Sequence, residues 1–252
     1  MTIHLERDGP IGRLLIDRAD KRNAFNQGMW ERVPVLVAHA MADRAIRVVI
    51  LQSATPGVFC AGADIAELSA NRANAAWRAA NQAAINRAQH DLTRAAKPVI
   101  AMVDGDCVGG GCGLALACDI RIATPRARFG ITPAKLGLVY PLHDTKLLVD
   151  AVGPAQAKRI LFTGHLLDAD ESLRIGLIDM IGNDADTDAL GATIAGNSAH
   201  STHEMKVMVR RVLDGQNDDD GDTNRVFADA FTKPDFIEGV GAFLEKRKAE
   251  FK

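Results

Sequence analysis

Long apolar runs and a dominant charge are both missing from this chain of 252 residues. No apolar stretch approaches the ~20 residues that span a bilayer. The first residues lack the basic flank and apolar run of a secretory signal. The net charge of −2 gives no general electrostatic reason to expect nucleic acid. We therefore expect a cytoplasmic globular protein that binds neither membrane nor nucleic acid, with a sizeable core built from its 47% hydrophobic residues.

Cysteine is scarce, and the four cysteines form no metal-binding pattern: Cys60, Cys107, Cys112 and Cys118. The spacing C-x4-C-x5-C of the last three matches none of the common zinc patterns, and no histidine pair lies nearby at ligand spacing. Small buried thiols are the simpler interpretation, because free cysteine is among the most buried residue types. We expect no metal site and no redox cofactor.

Nucleotide-binding and calcium-binding motifs are absent as well. In the segment Gly105–Gly113, the dinucleotide fingerprint fails because the glycine that it requires falls on Leu114 or Cys107. The acidic segment 214–222 fails the EF-hand pattern, because alignment on its second glycine puts Phe227 where that loop needs glutamate. The acidic segment is therefore interpreted as a solvated turn. The glycines of 105–113 either allow strand and helix to pack closely or have a different role.

That other role is suggested by two similar bends, Val58–Asp64 and Gly105–Gly113. Each follows an apolar, strand-like run and is expected to open a helix, where backbone N–H groups are unpaired and lie at the positive end of the dipole. Small residues let a ligand approach these groups. Two such donors aimed at one point would form an oxyanion hole, which stabilises a carbonyl oxygen as it gains negative charge. This pattern predicts activation of an acyl carbonyl through an enolate-like state.

Strand and helix patterns alternate along the first part of the chain, which predicts an α/β core of stacked ββα units. We expect a hairpin over 1–18, a helix capped by Asn26 and ending near 43, strands at 48–51, 98–103 and 119–123, and helices at 70–96 and 114–118. The remainder is predicted to be helical: 143–152, 154–163, 168–175, 184–200, 201–213, 222–232 and 234–248.

Several motifs, in order along the chain, resemble one family. Besides the two bends, they are R-x-N-A-[LF]-[ND] at Lys21–Asn26, K-P-[VI]-I-A-x-[VI]-x-G at Lys97–Gly105, a T-G…A…A…G-L-[VI] segment within Leu161–Ile178, and an F-L-E-K-R ending in Ala242–Lys248. Together they resemble the crotonase superfamily, also called enoyl-CoA hydratase/isomerase. The resemblance implies a ClpP-like crotonase fold, with a core over 1–190 and a helical trimerisation region over 191–252. It also implies a homotrimer or homohexamer.

The resemblance implies roles for backbone groups in both bends. The N–H groups of Ala63 and Gly110 would hold the thioester oxygen of an acyl-CoA substrate. Backbone around Ala24, Ala61, Asp64 and Ile65 would hold the adenine end of coenzyme A, and Lys246, from the same or a neighbouring subunit, would lie near its phosphates or adenine.

This sequence departs from the family where hydratases carry two glutamates, because those positions are Gly113 and Ala134. Hydration needs carboxyl groups that position water and move a proton. The segment Thr132–Tyr140 resembles T-P-x-x-L-G-x-x-Y of methylmalonyl-CoA decarboxylase, which also lacks the second glutamate. Loss of CO₂ forms the thioester enolate without a general base. We therefore predict decarboxylation of a small malonyl-type CoA thioester, with Tyr140 and Thr132 at the acyl end.

Three other functions stay open. The first is an enoyl-CoA hydratase or isomerase that uses Asp144, Glu67, His143 or Tyr140 as acid or base. The second is a catalytically inactive acyl-CoA binder. The third, RNA binding through arginines of the 70–96 helix, lacks a matching lysine cluster. Each side chain also has a structural interpretation: Tyr140 as a packed loop aromatic, His143 and Asp144 as caps of the following helix, and Glu67 as a first-turn acid.

Overall fold

The computed structural model describes residues 2–251, in which nine strands form two sheets. The strands are β1 (Ile3–Asp8), β2 (Ile11–Ile16), β3 (Val48–Ser53), β4 (Val58–Cys60), β5 (Val99–Val103), β6 (Asp106–Val108), β7 (Ile120–Ala123), β8 (Arg128–Gly130) and β9 (Met180–Ile181). The larger sheet has the order β1-β2-β3-β5-β7-β9, and the smaller has the order β4-β6-β8. Among these nine described strands, β1 and β2 pair antiparallel, as the predicted hairpin, and the other strand pairs are parallel.

Ten helices within residues 2–251 surround the sheets. They are α1 (Gln27–Ala42), α2 (Ile65–Ala70), α3 (Ala75–Thr93), α4 (Gly110–Leu116), α5 (Leu142–Thr163), α6 (Ala169–Arg174), α7 (Asp184–Ala195), α8 (Ala199–Leu213), α9 (Gly221–Ala230) and α10 (Pro234–Leu244), with short 3-10 turns at 19–21 and 133–136. No helix within residues 2–251 is both long and apolar enough to cross a bilayer. The predicted α/β class is confirmed.

The core lies on both faces of the larger sheet, which explains why its central strands are continuous apolar runs. Along β3, Val49 and Leu51 face the main core, whereas Val48 and Ile50 face the opposite side with Ile194 of α7. From β3 onward, each connection between strands of the larger sheet contains one strand of the smaller sheet. The C-terminal ends of β4 and β6 lead into the two glycine-containing bends.

Helix α1 begins where its cap predicts. The Asn26 side chain accepts a hydrogen bond from Met29 N–H at 2.9 Å, and one face of the helix, which includes Trp30 and Val33, is buried. Pro34 lies inside the helix rather than in its first turn.

Some predicted helix boundaries are wrong, whereas the predicted break at Gly153 is confirmed. The predicted 70–96 helix begins only at Ala75, as α3, because the Asn74 side chain accepts a hydrogen bond from Trp77 N–H at 3.0 Å and caps the helix there. Gly153, at φ 72° and ψ 165°, is not helical, so α5 consists of one helical segment on each side of it, as predicted. Asp220 caps α9, so the acidic turn ends earlier than predicted.

The C-terminal helices expose many apolar side chains. Helix α8 has no fully buried residue, and exposed apolar residues within 199–244 include Met205, Val209, Phe227, Phe231, Ile237 and Phe243. The proposed division into a core and an oligomerisation region stays a prediction.

Candidate active site

The two bends meet at a pair of glycines with left-handed backbone. Gly62 has φ 97° and Gly109 has φ 55°. A Cβ on Gly109 would lie 3.9 Å from Gly62 Cα, and a Cβ on Gly62 would lie 2.8 Å from Val108 O. A side chain at Gly62 would therefore push the bends apart, so this glycine is required for their contact.

The first bend is fixed by Phe25. Phe25 N–H donates to Gly62 O at 2.7 Å, and Phe25 O accepts from Asp64 N–H at 2.8 Å. Because amide directions alternate along an extended chain, the N–H of Ala63, between these two residues, points away from Phe25. Within residues 2–251 this N–H donates no hydrogen bond.

The second bend leaves a similar donor. Gly109 N–H donates to Gly130 O of β8 at 2.8 Å, and the next residue, Gly110, begins α4. The first N–H of a helix has no acceptor within the helix. The Gly110 N–H has no other acceptor among the described residues either.

The two free donors lie close together. A Cβ on Gly110 would be 3.8 Å from Ala63 N, and a Cβ on Gly62 would be 3.4 Å from Gly110 N. The same Cβ on Gly110 would lie 3.1 Å from the ring of Trp30. Trp30 is 1% exposed and packs against the second bend. An oxyanion hole needs two free donors near one point; the roles of Ala63 and Gly110 stay predictions.

Buried thiols pack behind the bends. Cys112 Sγ donates to Cys107 O at 2.9 Å, and a Cβ on Gly111 would lie 2.5 Å from Cys60 O. Burial raises the pKa of the Cys60 thiol to about 12, so this thiol stays protonated and unreactive at neutral pH. All four cysteines are buried and free, as the packing interpretation expects.

A buried polar pair occupies the space beside Gly113. Gln89 Nε2 donates to Asp144 Oδ1 at 2.6 Å, and the two residues are 0% and 2% exposed. A Cβ on Gly113 would lie 2.3 Å from Gln89 Nε2 and 2.8 Å from Asp144 Oδ1. Gly113 is one helical turn beyond Gly110, whose N–H is one of the two free donors. A carboxyl group from α5 thus stands where a side chain on α4 would extend.

Burial raises the pKa of the Asp144 carboxyl, although the Gln89 hydrogen bond and the nearby His143 oppose this shift. Burial, and then the negative charge of Asp144, raise the pKa of Tyr140 well above its usual value. Burial lowers the pKa of His143, against the attraction of Asp144. At neutral pH, Tyr140 is therefore a neutral donor, whereas the buried Asp144 is the group suited to exchanging a proton.

Two other predicted residues lie in this neighbourhood. Tyr140 is partly buried, and its hydroxyl donates to Gly109 O at 3.4 Å, a long bond beside the second bend. Thr132 is two residues beyond Gly130, and its hydroxyl makes no hydrogen bond within residues 2–251.

The capping interpretation of His143 and Asp144 is wrong. The cap residue of α5 is Pro141, and no side chain accepts a capping hydrogen bond there, because both residues already lie inside the first turn. His143 Nε2 is buried without a partner in the described part of the chain. Glu67, in contrast, accepts a hydrogen bond from Gln27 N–H at 2.9 Å at the start of α1, which supports its structural interpretation.

The residues predicted to hold coenzyme A surround the first bend, with one exception. Ala61 N–H donates to Arg22 O, and Ala24 O accepts from Arg18 Nη1 at 2.8 Å. Asp64 caps α2, and its Oδ2 also pairs with Arg18 Nη2 at 2.9 Å. Ile65 is exposed. Lys246 is distant in sequence, exposed, and has left-handed backbone at φ 57° just after α10.

Gln89 is the site residue that sequence reasoning missed. It lies on the buried stripe of α3 with Ala88 and Leu92. A signal was present, since Ile85, Ala88 and Leu92 repeat at helical spacing, and an amide on that face needs a partner inside the protein.

A cavity of about 480 Å³ begins one helical turn beyond this pair. Its lining includes Thr93, Leu116 and Leu147, which follow Gln89, Gly113 and Asp144 along their helices, and apolar residues of α8. It contains neither bend, so it is separate from the candidate oxyanion hole.

Comparison with known proteins agrees with this geometry. The family model described as enoyl-CoA hydratase/isomerase matches residues 6–252. The chain belongs to the enoyl-CoA hydratase/isomerase family. It is therefore a crotonase-superfamily enzyme that processes acyl-CoA, as the sequence motifs predicted.

Relatives within the family match over nearly the whole chain. A short-chain-enoyl-CoA hydratase of Clostridium acetobutylicum is 31% identical, covering 99% of this chain and 97% of its own. A crotonyl-CoA hydratase of Syntrophomonas wolfei is 34% identical with the same coverage. A crystal structure of an enoyl-CoA hydratase/isomerase family protein from Hyphomonas neptunium superposes with TM-score 0.96 at 38% identity, covering 100% of this chain and 98% of that chain. The predicted crotonase fold is confirmed.

Proposed function

We propose that this enzyme adds water to a 2-enoyl-CoA thioester and that Asp144 is its acid–base group. The observation on which this depends is the buried Asp144 carboxyl beside Gly113, with Oδ2 unpartnered among residues 2–251. This carboxyl takes the place of the glutamate that the chain lacks on α4. The two relatives described above, named as hydratases, support the same reaction class.

The oxyanion hole activates the substrate. The thioester oxygen accepts hydrogen bonds from Ala63 N–H and Gly110 N–H, and these bonds strengthen as the oxygen becomes negative. Each donor contributes on the order of 3 kcal/mol of transition-state stabilisation. Because the two glycine bends fix both donors in advance, little reorganisation is needed during the reaction.

Asp144 then moves one proton in two steps. As the water oxygen bonds to C3, Asp144 Oδ2 takes a proton from the water, and the C2–C3 π electrons move into the enolate. Asp144 returns that proton to C2, which regenerates the carboxylate and leaves a 3-hydroxyacyl-CoA. The raised pKa of Asp144 strengthens it as a base. No metal or redox cofactor takes part in this reaction.

Decarboxylation is the second candidate, favoured by the Tyr140 hydroxyl beside Gly109. In that reaction Tyr140 and Thr132 would contact the departing carboxylate, and Asp144 would have no proton to remove. The relatives described above support hydration instead. An inactive acyl-CoA binder remains the third outcome of the same test.

The test compares hydration of crotonyl-CoA, isomerisation of a 3-enoyl-CoA and CO₂ release from methylmalonyl-CoA. We expect hydration by the unmodified enzyme. Asp144→Asn should lower its kcat/KM by about 10²–10⁴-fold, because the proton shuttle is lost. Tyr140→Phe should lower it by less than about tenfold, since one neutral hydrogen bond contributes only ~1 kcal/mol.

Other outcomes would each replace the proposal. Rapid CO₂ release that is sensitive to Tyr140→Phe and Thr132→Ala, but not to Asp144→Asn, would establish the decarboxylase. Isomerisation without hydration, lost in Asp144→Asn, would retain the acid–base group and change the reaction. Tight acyl-CoA binding with no turnover would indicate the inactive binder.

We further propose that backbone around Ala24, Ala61, Asp64 and Ile65 holds the adenine end of coenzyme A, with Lys246 near its phosphates. The exposed apolar side chains of α9 and α10 support assembly as a homotrimer or homohexamer. Phe243, 81% exposed, provides the test: Phe243→Asp should reduce the mass in sedimentation velocity, whereas a monomeric unmodified protein would contradict the proposal.

A further inference from the structure

Gln89 and Asp144 each retain one oxygen without a hydrogen-bond donor. Gln89 Oε1 and Asp144 Oδ2 are both buried and unpartnered within the described residues, although the two side chains are bonded through Nε2 and Oδ1. Buried polar oxygens are nearly always satisfied by protein or by ordered water. Two neighbouring acceptors without a donor therefore indicate a binding position for a small hydrogen-bond donor.

The orientation of the Gln89 amide follows from its partner. An ionised carboxylate only accepts hydrogen bonds, so the amide must turn Nε2 towards Asp144 Oδ1 and keep Oε1 free. The free oxygen of each group is bonded to the same carbon as the paired atom, so each free oxygen lies beside the Gln89–Asp144 hydrogen bond.

We infer that Gln89 is a positioning residue that, together with Asp144, holds the water which attacks the substrate. Water donates one hydrogen to Gln89 Oε1 and the other to Asp144 Oδ2, which leaves a lone pair of its oxygen directed at C3. Gln89 Nε2 at the same time fixes the Asp144 carboxylate. An amide and one carboxyl group, from α3 and α5, thereby replace a pair of carboxyl groups. This inference rests on the proposed hydratase function.

The matched variants are Gln89→Leu and Gln82→Leu, the same chemical change on one helix. Gln82 is partly buried and bonds only to Asn86 one turn away among the side chains described. Gln89→Leu should lower kcat for crotonyl-CoA hydration by about 10–100-fold with little change in KM, because substrate binding is retained while water positioning is lost. Gln82→Leu should leave both constants unchanged.

The pH profile separates positioning from a merely structural role. The Gln89 hydrogen bond lowers the pKa of Asp144, so its removal should raise that pKa further. The acidic limb of kcat in Gln89→Leu should therefore move to higher pH, whereas Gln82→Leu should superpose on the unmodified enzyme. Equal kcat and equal pH profiles in the two variants would overturn the inference.

A measurement without turnover keeps the two proposals distinguishable. The ¹³Cγ resonance of Asp144, assigned with Asp144→Asn, should titrate at higher pH in Gln89→Leu than in the unmodified protein. A high-resolution crystal structure should contain a water within hydrogen-bond distance of Gln89 Oε1 and Asp144 Oδ2. If these results appear but hydration is absent, the proposed function fails and the water site stands. A carboxyl proton shared directly with Gln89 Oε1 would overturn the water site.

Discussion

Asp144 Oδ1 lies 2.8 Å from the position that a Cβ of Gly113 would occupy. Gly113 is on α4 and Asp144 is on α5, so the carboxyl group of one helix occupies the space that a side chain on the other would fill. Glycine at position 113 therefore leaves the space that the Gln89–Asp144 pair occupies. A site that lacks the family's usual carboxyl groups can still contain a carboxyl group one helical turn from the candidate oxyanion hole.

The first prediction concerns Gly113→Ala. The new methyl group would lie 2.3 Å from Gln89 Nε2, so we expect a loss of about 1–3 kcal/mol in the free energy of unfolding. The control is Gly241→Ala inside α10, where nothing lies within 4 Å and where alanine should stabilise by about 0.5–1 kcal/mol. Urea unfolding measures both. A stabilised Gly113→Ala would show that the pair does not fill this space.

The second prediction separates the Gly110 N–H from the shape of residue 110. Proline is tolerated at the first position of a helix but has no N–H. Gly110→Ala and Gly110→Pro both add a Cβ at 3.1 Å from Trp30, and only proline removes the donor. We expect kcat of Gly110→Pro to fall about 10²–10³-fold below that of Gly110→Ala. Equal rates would exclude this amide from the oxyanion hole.

The third prediction concerns the stability of Asp144→Asn. The folded-state pKa of Asp144 is raised, so its ionisation opposes folding. The contribution of Asp144 to wild-type stability is complete below the pKa of this group in the unfolded state. It is lost as pH rises through its pKa in the folded state. Asp144→Asn should therefore be more stable than wild type near pH 7, and this advantage should decrease as the pH falls below the folded pKa. Thermal unfolding across pH 3–8 measures it; an advantage independent of pH would contradict the assignment.

The fourth prediction concerns Asp64, which caps α2 and pairs with Arg18. Burial alone would raise its pKa, but the Arg18 and backbone hydrogen bonds outweigh burial and lower it. Its stabilising contribution is thus present above the unfolded pKa and is lost as pH falls through the lowered folded pKa. Asp64→Ala should cost about 0.5–2 kcal/mol of unfolding free energy at pH 7, whereas Asp64→Asn should retain the cap. Chemical denaturation of both variants is the measurement; equal losses would show that the cap contributes little.

The features that local rules determine could be predicted from the sequence. The hairpin, the Asn26 cap and the two glycine-containing bends each depend on a few neighbouring residues. The three-residue strands of the smaller sheet could not be predicted, because β8 is too short to show a period of two.

The Gln89–Asp144 pair could not be predicted for a different reason. Its members are 55 residues apart, and only the packing of α3, α4 and α5 brings them together. Sequence spacing identified Asp144 as a candidate but gave it no partner. The decarboxylase interpretation followed from the two missing glutamates and from the Thr132–Tyr140 segment, and neither reveals a carboxyl group supplied by another helix.

Tyr140 is the only tyrosine in the chain, and its hydroxyl rests on the Gly109 carbonyl beside the second bend. Protein produced with isotope-labelled tyrosine would therefore give NMR signals from a single phenol ring, which lies at the candidate active site. Binding of an acyl-CoA could be followed through the signals of that one ring, with no mutation or attached probe.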